Sequence, residues 1–395
     1  MKRVVFCWEL GGNYGHITGF VDLARELKLR GCEVLFVLRD LQYASVLQRD
    51  FHCVQAPLPN LLPVHRTAYN YSGILAAIGY LQPQVLAGYT GEWRQLFLDL
   101  QADLVIADHA PTAVLAARSA KLPVALIGTG FVIPPVVDGQ FPSFQSQYKE
   151  PDAQLDNKLL ATINRVLSDL GGDELKALGD MFVNTSSFLC TLPELDHYGV
   201  RPETDYWGPL FSAGQGIPPS WPAVEGERTF AYLTPKLTNL PQVVSALAHL
   251  PGSKLLHIPG VSELQRQAWS TSSLSIESEP VNMRQVLAAV DLVVSQGGMG
   301  MSAQCVLAGA RHVILPTQME QNLLARRLSE MGLAYAIDST ASEESCLSLF
   351  KQALSCPTLA ANSRKLAQRY QGFSQAEQVV AMADEMMELL LPRGK

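Results

Sequence analysis

Two short stretches hold residue types whose spacing fits chemistry. The first, Asp291-Leu-Val-Val-Ser-Gln-Gly-Gly-Met-Gly-Met-Ser-Ala303, places Gly297, Gly298 and Gly300 between an apolar run and a helical one. Glycine lets a backbone approach a ligand closely, and the N–H groups of a helix N-terminus attract anions, so a phosphate site is the natural chemistry. A tight strand–helix turn without a ligand uses the same glycines equally well. The stretch is neither Gly-x-Gly-x-x-Gly nor a Walker sequence, which leaves a nicotinamide or ATP reading without support. The second stretch, 309–322, ends a strand at Pro316 and delivers Glu320 and Gln321 to the start of a helix. An acid beside an amide offers the donors and acceptors that sugar hydroxyls require. The same pair also serves as a helix N-terminal acid and its solvated neighbour.

Alternating strand and helix patterns position these stretches. Residues 3–8 read as a buried strand and Gly11-Gly12-Asn13 as a turn. From Gly15 onward, Ile17, Phe20, Val21, Ala24 and Leu27 recur three or four apart, one helical face that Gly31 ends. Residues 34–38 are a second strand, completing a βαβ unit. Strands at 104–107 and 124–127 flank a helix over 113–120, and another strand falls at 188–191. Residues 212–228, with Gly214, Gly216, Pro218, Pro219 and Pro222, have the composition of a linker. Beyond it strands are expected at 229–233, 254–258, 274–276, 292–295, 312–315 and 334–337. Helices are expected over 299–308 and 320–331, and only helices from Ser342 on. The fold class is therefore α/β, with two doubly wound Rossmann-like domains, 1–211 and 229–395, joined by the linker 212–228. A cleft between them is the default ligand site, and the last helices are free to pack back on the N-terminal domain.

Composition narrows the function classes. Of 395 residues 48% are hydrophobic and 17% charged, enough apolar surface for sizeable cores and too much for disorder. No apolar run is long enough for a transmembrane helix, and the first strand is too short for a signal peptide, so a cytoplasmic location is expected. A net charge of −7 argues against nucleic acid as partner. The 7 cysteines are scattered without Cys-x-x-Cys or zinc-ligand spacing, so neither disulfides nor a metal are expected.

Together these residues carry a resemblance. The Gly-Gly-x-Gly turn followed by Pro-x-x-x-Glu-Gln resembles the donor signature of GT-B nucleotide-sugar glycosyltransferases, nearest to the plant UDP-glycosyltransferases and bacterial macrolide glycosyltransferases. Gly15-His16-Ile17, Leu23-Ala-Arg-Glu-Leu27 and Arg30-Gly-Cys-Glu-Val34 resemble the family's opening helix and second strand, and Trp207-Gly-Pro-Leu210 its approach to the linker. The resemblance implies an inverting, metal-independent hexosyltransferase with no cofactor beyond a UDP- or dTDP-linked sugar. Its acceptor would be the hydroxyl of a small molecule or a lipid-linked one. His16 matches the general base and Asp108 the acid that orients it, although Asp99, Asp103 and His109 lie close by in sequence. Gln296, Gly297, Gly298, Gly300, Met301 and Ser302 match the pyrophosphate turn, with backbone donors at Gly300, Met301 and Ser302. Glu320 and Gln321 match the sugar contacts, and Val281 the nucleobase loop. Gly300 is where a side chain would crowd the ligand. Tyr69, Tyr71, Tyr80, Trp93 and residues 131–144 fall where the family's acceptor loops lie.

The chain departs from the family at several positions. Gln296 stands where a histidine is usual, Met301 where serine or threonine is common, and Gln304 in place of an acid. Residues 230–236 lack the usual Gly-Ser. A non-catalytic GT-B partner protein, or a nucleotide-sugar epimerase or hydrolase, is the alternative reading.

Overall fold

Short apolar runs become parallel strands wherever a helix returns the chain to the same edge of a sheet. In the computed structural model this happens twice. The structure describes residues 1–12, 15–58, 68–144, 152–183, 185–212 and 216–391. Asn13 of the expected turn and Gly214 of the expected linker lie outside them.

The first sheet is built from β1 (Arg3–Trp8), β2 (Glu33–Leu38), β3 (His52–Gln55), β4 (Leu104–Asp108), β5 (Val124–Gly128) and β6 (Ser186–Leu189). All are parallel, in the order β3-β2-β1-β4-β5-β6. The direction of winding reverses between β1 and β4, where an open α/β sheet has its ligand crevice, outside the C-terminal ends of the strands. The second sheet repeats the plan with β7 (Arg228–Tyr232), β8 (Ser253–His257), β9 (Leu274–Glu277), β10 (Leu292–Ser295), β11 (Arg311–Ile314) and β12 (Tyr335–Ala336). Its order is β12-β11-β10-β7-β8-β9, reversing between β10 and β7.

Several elements differ from the sequence expectation, among them the 17-residue helices Pro83–Asp99 and Ala153–Asp169, which it did not name. The helix expected from Gly15 is two pieces, Gly15–Thr18 and Val21–Leu29. They part at Gly19, where an added Cβ would come within 3.0 Å of the Leu210 carbonyl oxygen. Strand β3 had no clear signal: it is a four-residue edge strand with exposed polar ends, so alternation has little length to show. Strand β6 starts and ends two residues earlier than the apolar run 188–191, because Ser186 and Ser187 pair with β5 through their backbone. Gly31 does sit at φ +87°, the left-handed residue that follows the Val21–Leu29 helix.

The chain divides into two units, Met1–Leu210 with Ser374–Lys395, and Phe211–Phe373. In the first, the Gln375–Leu389 helix buries Val379, Met382, Ala383 and Met386 in the cluster that holds Ile17, Leu23, Leu27 and Phe36. Gln378 donates to the Gly208 carbonyl at 2.7 Å, and Arg30 pairs with Asp384. In the second, Ile217 bridges to Val281 and Ser253 donates to the Pro222 carbonyl. Residues 216–228 are thus bonded to the second sheet's surroundings. Among the described residues no helix is long and apolar enough to cross a membrane, and no group of three His, Cys, Asp or Glu could hold a metal.

Candidate functional site

In the first unit the chemistry gathers at the exits of β1 and β4. Parallel pairing sets Trp8 opposite Asp108, the last residue of each strand, so both side chains leave the sheet on the same face. The loop after β1 returns His16 over that face. Its Nδ1 lies 2.7 Å from Asp108 Oδ2, with Asp108 buried and the imidazole largely so. The Trp8 ring stacks on the imidazole with centroids 5.3 Å apart, itself anchored by Nε1–H donation to the Leu10 carbonyl at 2.7 Å. Two glycines make room. A side chain at Gly11 would strike His16 Nε2, and one at Gly128 would meet Asp108 Oδ1.

A carboxylate on Nδ1 fixes the imidazole tautomer and leaves Nε2 with its lone pair, the arrangement a general base needs. His109 is a second imidazole nearby, 6.4 Å from that of His16 between centroids. Burial pushes its pKa down to about 3, so it stays neutral, and Nε2 has no partner among the described residues. A group that basic only in strong acid is a poor proton acceptor at neutral pH.

The aromatic residues tell a plainer story. Tyr71, Tyr80 and Trp93 are core side chains, fully enclosed, and only Tyr69 among those named from sequence is exposed. Three of the four pack among helices: Tyr71 and Tyr80 share a buried cluster with Leu86, Leu115 and Leu159, and the Trp93 ring lies 5.7 Å from that of Phe97.

In the second unit the loops that follow β7, β9, β10 and β11 all leave the same end of a parallel sheet. After β10 the chain turns at Gly297, whose φ of +77° and close approach to Ile314 suit only glycine. The Ser295 hydroxyl accepts from Gly297 N–H at 3.0 Å and lies 2.8 Å from Nε2 of the buried His312. Gly298 then caps the Met299–Ala308 helix. The helical ladder begins with Ser302 N–H donating to the Gly298 carbonyl at 3.0 Å. The Ser302 amide is therefore spent inside the helix, correcting the expectation that it faces an anion. The amides of Gly300 and Met301, the two residues before it, have no intrahelical acceptor. Ser302 is fully buried, and its hydroxyl has no partner among the described residues.

The side chains that depart from the family are engaged. Gln296, in the orientation its surroundings require, donates to the Tyr232 carbonyl and accepts from Thr234 N–H, both at 3.2 Å. It brackets the exits of β10 and β7. Gln304 turns back on its own helix and donates to the Gly300 carbonyl at 3.1 Å. Glu320 falls in the first turn of the Met319–Glu330 helix. Gln321 Oε1 already accepts from Thr317 N–H at 2.8 Å and the Thr317 hydroxyl at 3.0 Å, leaving its amide hydrogens for a ligand. The Val281 side chain is core, packed with Phe230, Leu255 and Val286. Ile217 takes the Pro280 carbonyl and the Asn282 amide, so Val281's own N–H and C=O lie on the opposite edge. Sequence reasoning passed over Trp8, Gly11, His312 and Glu9. For Glu9 the signal was available: a lone acid closing an apolar run.

Neither the comparison with protein-family models nor that with curated proteins gives a match. The fold itself is shared with solved GT-B glycosyltransferases. The glycotransferase of kitacinnamycin superposes with a TM-score of 0.71 at 20% identity, over 99% of this chain and 99% of that one. The glycosyltransferase VinC, solved with dTDP, gives 0.69 at 16% identity, over 98% and 99%. The spinosyn rhamnosyltransferase SpnG, solved with spinosyn aglycone, gives 0.66 at 18% identity, over 98% and 100%.

Proposed function

We propose that the protein is an inverting glycosyltransferase that moves a sugar from a nucleoside-diphosphate sugar to an acceptor hydroxyl. The observation that carries the reading is the 2.7 Å contact between His16 Nδ1 and Asp108 Oδ2 at the switch point of the first sheet. In that role His16 Nε2 takes the hydroxyl proton, the oxygen attacks the anomeric carbon in a single displacement, and the nucleoside diphosphate leaves. Asp108 holds the ring and offsets the imidazolium charge. The charge on the leaving diphosphate falls to the Gly300 and Met301 amides and the positive end of their helix, without calling on a metal. The reading gives sugar hydroxyls to Glu320 and the free amide hydrogens of Gln321, and the nucleobase to the Val281 main chain. Gln296 keeps one amide hydrogen for the phosphates after its bond to Tyr232.

The dTDP bound in VinC makes dTDP-linked sugars the first donors to test, with UDP-linked sugars beside them. The experiment is a thermal-shift panel of both series, followed by mass spectrometry of acceptor and donor products. His16→Ala should cut turnover by about 10²–10⁴-fold and leave nucleoside diphosphate affinity unchanged. Turnover that survives this variant would sink the assignment. Diphosphate binding without any turnover would instead favour a non-catalytic partner protein, a reading helped by the engagement of Gln296 and Gln304 within the fold. Sugar release without an acceptor would point to a hydrolase or epimerase.

A further inference from the structure

Glu9 closes an apolar strand and is completely buried. A carboxylate in such a place is costly unless donors surround it. Its Oε2 accepts from Thr112 N–H at 2.8 Å and from Ala113 N–H at 3.4 Å, and its Oε1 from the Thr112 hydroxyl at 2.7 Å. Thr112 and Ala113 belong to the first turn of the Pro111–Ser119 helix, whose N–H groups lack intrahelical acceptors and carry the positive end of the dipole. The Tyr80 hydroxyl lies 3.0 Å behind the Thr112 hydroxyl. The main chain completes the tie. Leu10 N–H donates to the His109 carbonyl at 3.0 Å, and Arg39 Nη1 to the Glu9 carbonyl at 2.9 Å. Burial first, and then the Glu9 charge, push the ionisation of Cys7, Tyr71 and Tyr89 up.

What these bonds join decides their meaning. Glu9 stands at the exit of β1, on the way to His16. Thr112 stands just past the exit of β4, which ends in Asp108. The two strands are neighbours, and the 2.7 Å contact between His16 and Asp108 requires their exits to keep one separation. A buried bond across that gap, charge-assisted once Glu9 is ionised, holds it.

We propose that Glu9 is a positioning residue for the His16–Asp108 pair, tying the exits of β1 and β4 together through Thr112 so that the imidazole keeps Nδ1 on the carboxylate. The proposal rests on the reading of His16 as base given above. Two variants preserve shape: Glu9→Gln removes the charge, and Thr112→Val removes the hydroxyl donor while keeping the charge. The full chain, labelled with ¹⁵N-histidine, is followed by NMR at pH 8, and His16→Gln assigns the His16 signals. The wild type should show His16 as the Nδ1–H tautomer with a downfield proton in the hydrogen bond to Asp108. Both variants should lose that downfield resonance and gain Nε2–H tautomer, whether or not their melting temperatures move. If one variant fails to fold, the other carries the test. An unchanged His16 signature in the folded variants overturns the proposal. So does loss in Glu9→Gln alone beside a folded, unchanged Thr112→Val, which would assign the effect to charge rather than to the tie. Transfer that survives His16→Ala overturns the proposed function and not the tie, so the two failures are separable.

Discussion

Among the individual residues, burial sets the protonation of three groups, and their signs differ. Burial raises Glu9 from 4.5 to about 7. The folded state therefore keeps a proton that the unfolded chain releases, and stability is lost as pH rises from 4.5 through 7. Burial lowers His109 and His312 from 6.5 to about 3. Here the unfolded chain binds protons the folded state refuses, so stability is lost as pH falls below 6.5. Glu9→Gln removes the first effect alone. Relative to wild type, its unfolding free energy should improve by about 2–3 kcal/mol between pH 5 and pH 8, read from urea titrations at both. An equal difference at the two pH values would contradict the raised carboxyl. Gly297 and Gly300 make a second contrast. Gly297→Ala forces a left-handed backbone and a clash with Ile314, costing about 1–2 kcal/mol for the first and about 1–3 for the second. Gly300 is helical, and among the described residues its Cβ would meet only Phe211, at 3.6 Å. Gly300→Ala should therefore stabilise the fold by up to about 1 kcal/mol while weakening nucleoside diphosphate binding, measured by calorimetry. The close approach expected at Gly300 is a matter of ligand room. The backbone requirement belongs to Gly297.

Secondary-structure elements depend on partners that local sequence does not show. The Gln375–Leu389 helix is amphipathic from its own sequence, but its apolar face meets the Val21–Leu29 helix near the other end of the chain. Met382 is fully buried in that contact. Met382→Ala should cost about 2–5 kcal/mol through lost contacts and a residual cavity. Asp384→Ala, which removes an exposed pair with Arg30, should cost less than about 1 kcal/mol. Chemical denaturation of both variants compares them, and a larger loss for Asp384→Ala would show that charge rather than burial docks the helix. Strands β1 and β10 were legible to the residue because each is a short, continuous apolar run bounded by turn residues. The edge strand β3 and the break at Gly19 were not, since pairing and a carbonyl contact set them.

For the whole molecule, two copies of one winding plan explain why chemistry collects where it does. Each sheet reverses direction once, and each reversal opens a crevice outside the strand ends. The β1/β4 crevice holds the histidine–aspartate pair, and the β7/β10 crevice holds the glycine turn. A nucleoside diphosphate that binds only the folded second unit should raise its stability by about 2.7 kcal/mol at one hundred times its Kd. The shift should follow dTDP or UDP concentration in a thermal melt and shrink in Gly297→Ala. A melt insensitive to both nucleotides would remove the donor site.

Local physics was enough for much of this protein. Apolar runs, helical spacing and turn glycines determined two parallel-sheet halves, and residue chemistry pointed to an anion at the Gly297–Gly300 turn. Family resemblance then singled out His16. Tertiary structure alone decided among the acids. Asp99 accepts from Gln95, and Asp103 is taken by Lys2 and the Arg3 amide, while Asp108 sits opposite Trp8 and meets His16. It also decided that Gln296 brackets β7, that the Ser302 amide closes the helix, and that Glu9 reaches Thr112. The reason is one of range. Propensity and periodicity act over a few neighbouring residues, whereas these bonds join strand exits separated by long stretches of chain, and only the register of the sheet brings them within hydrogen-bond distance.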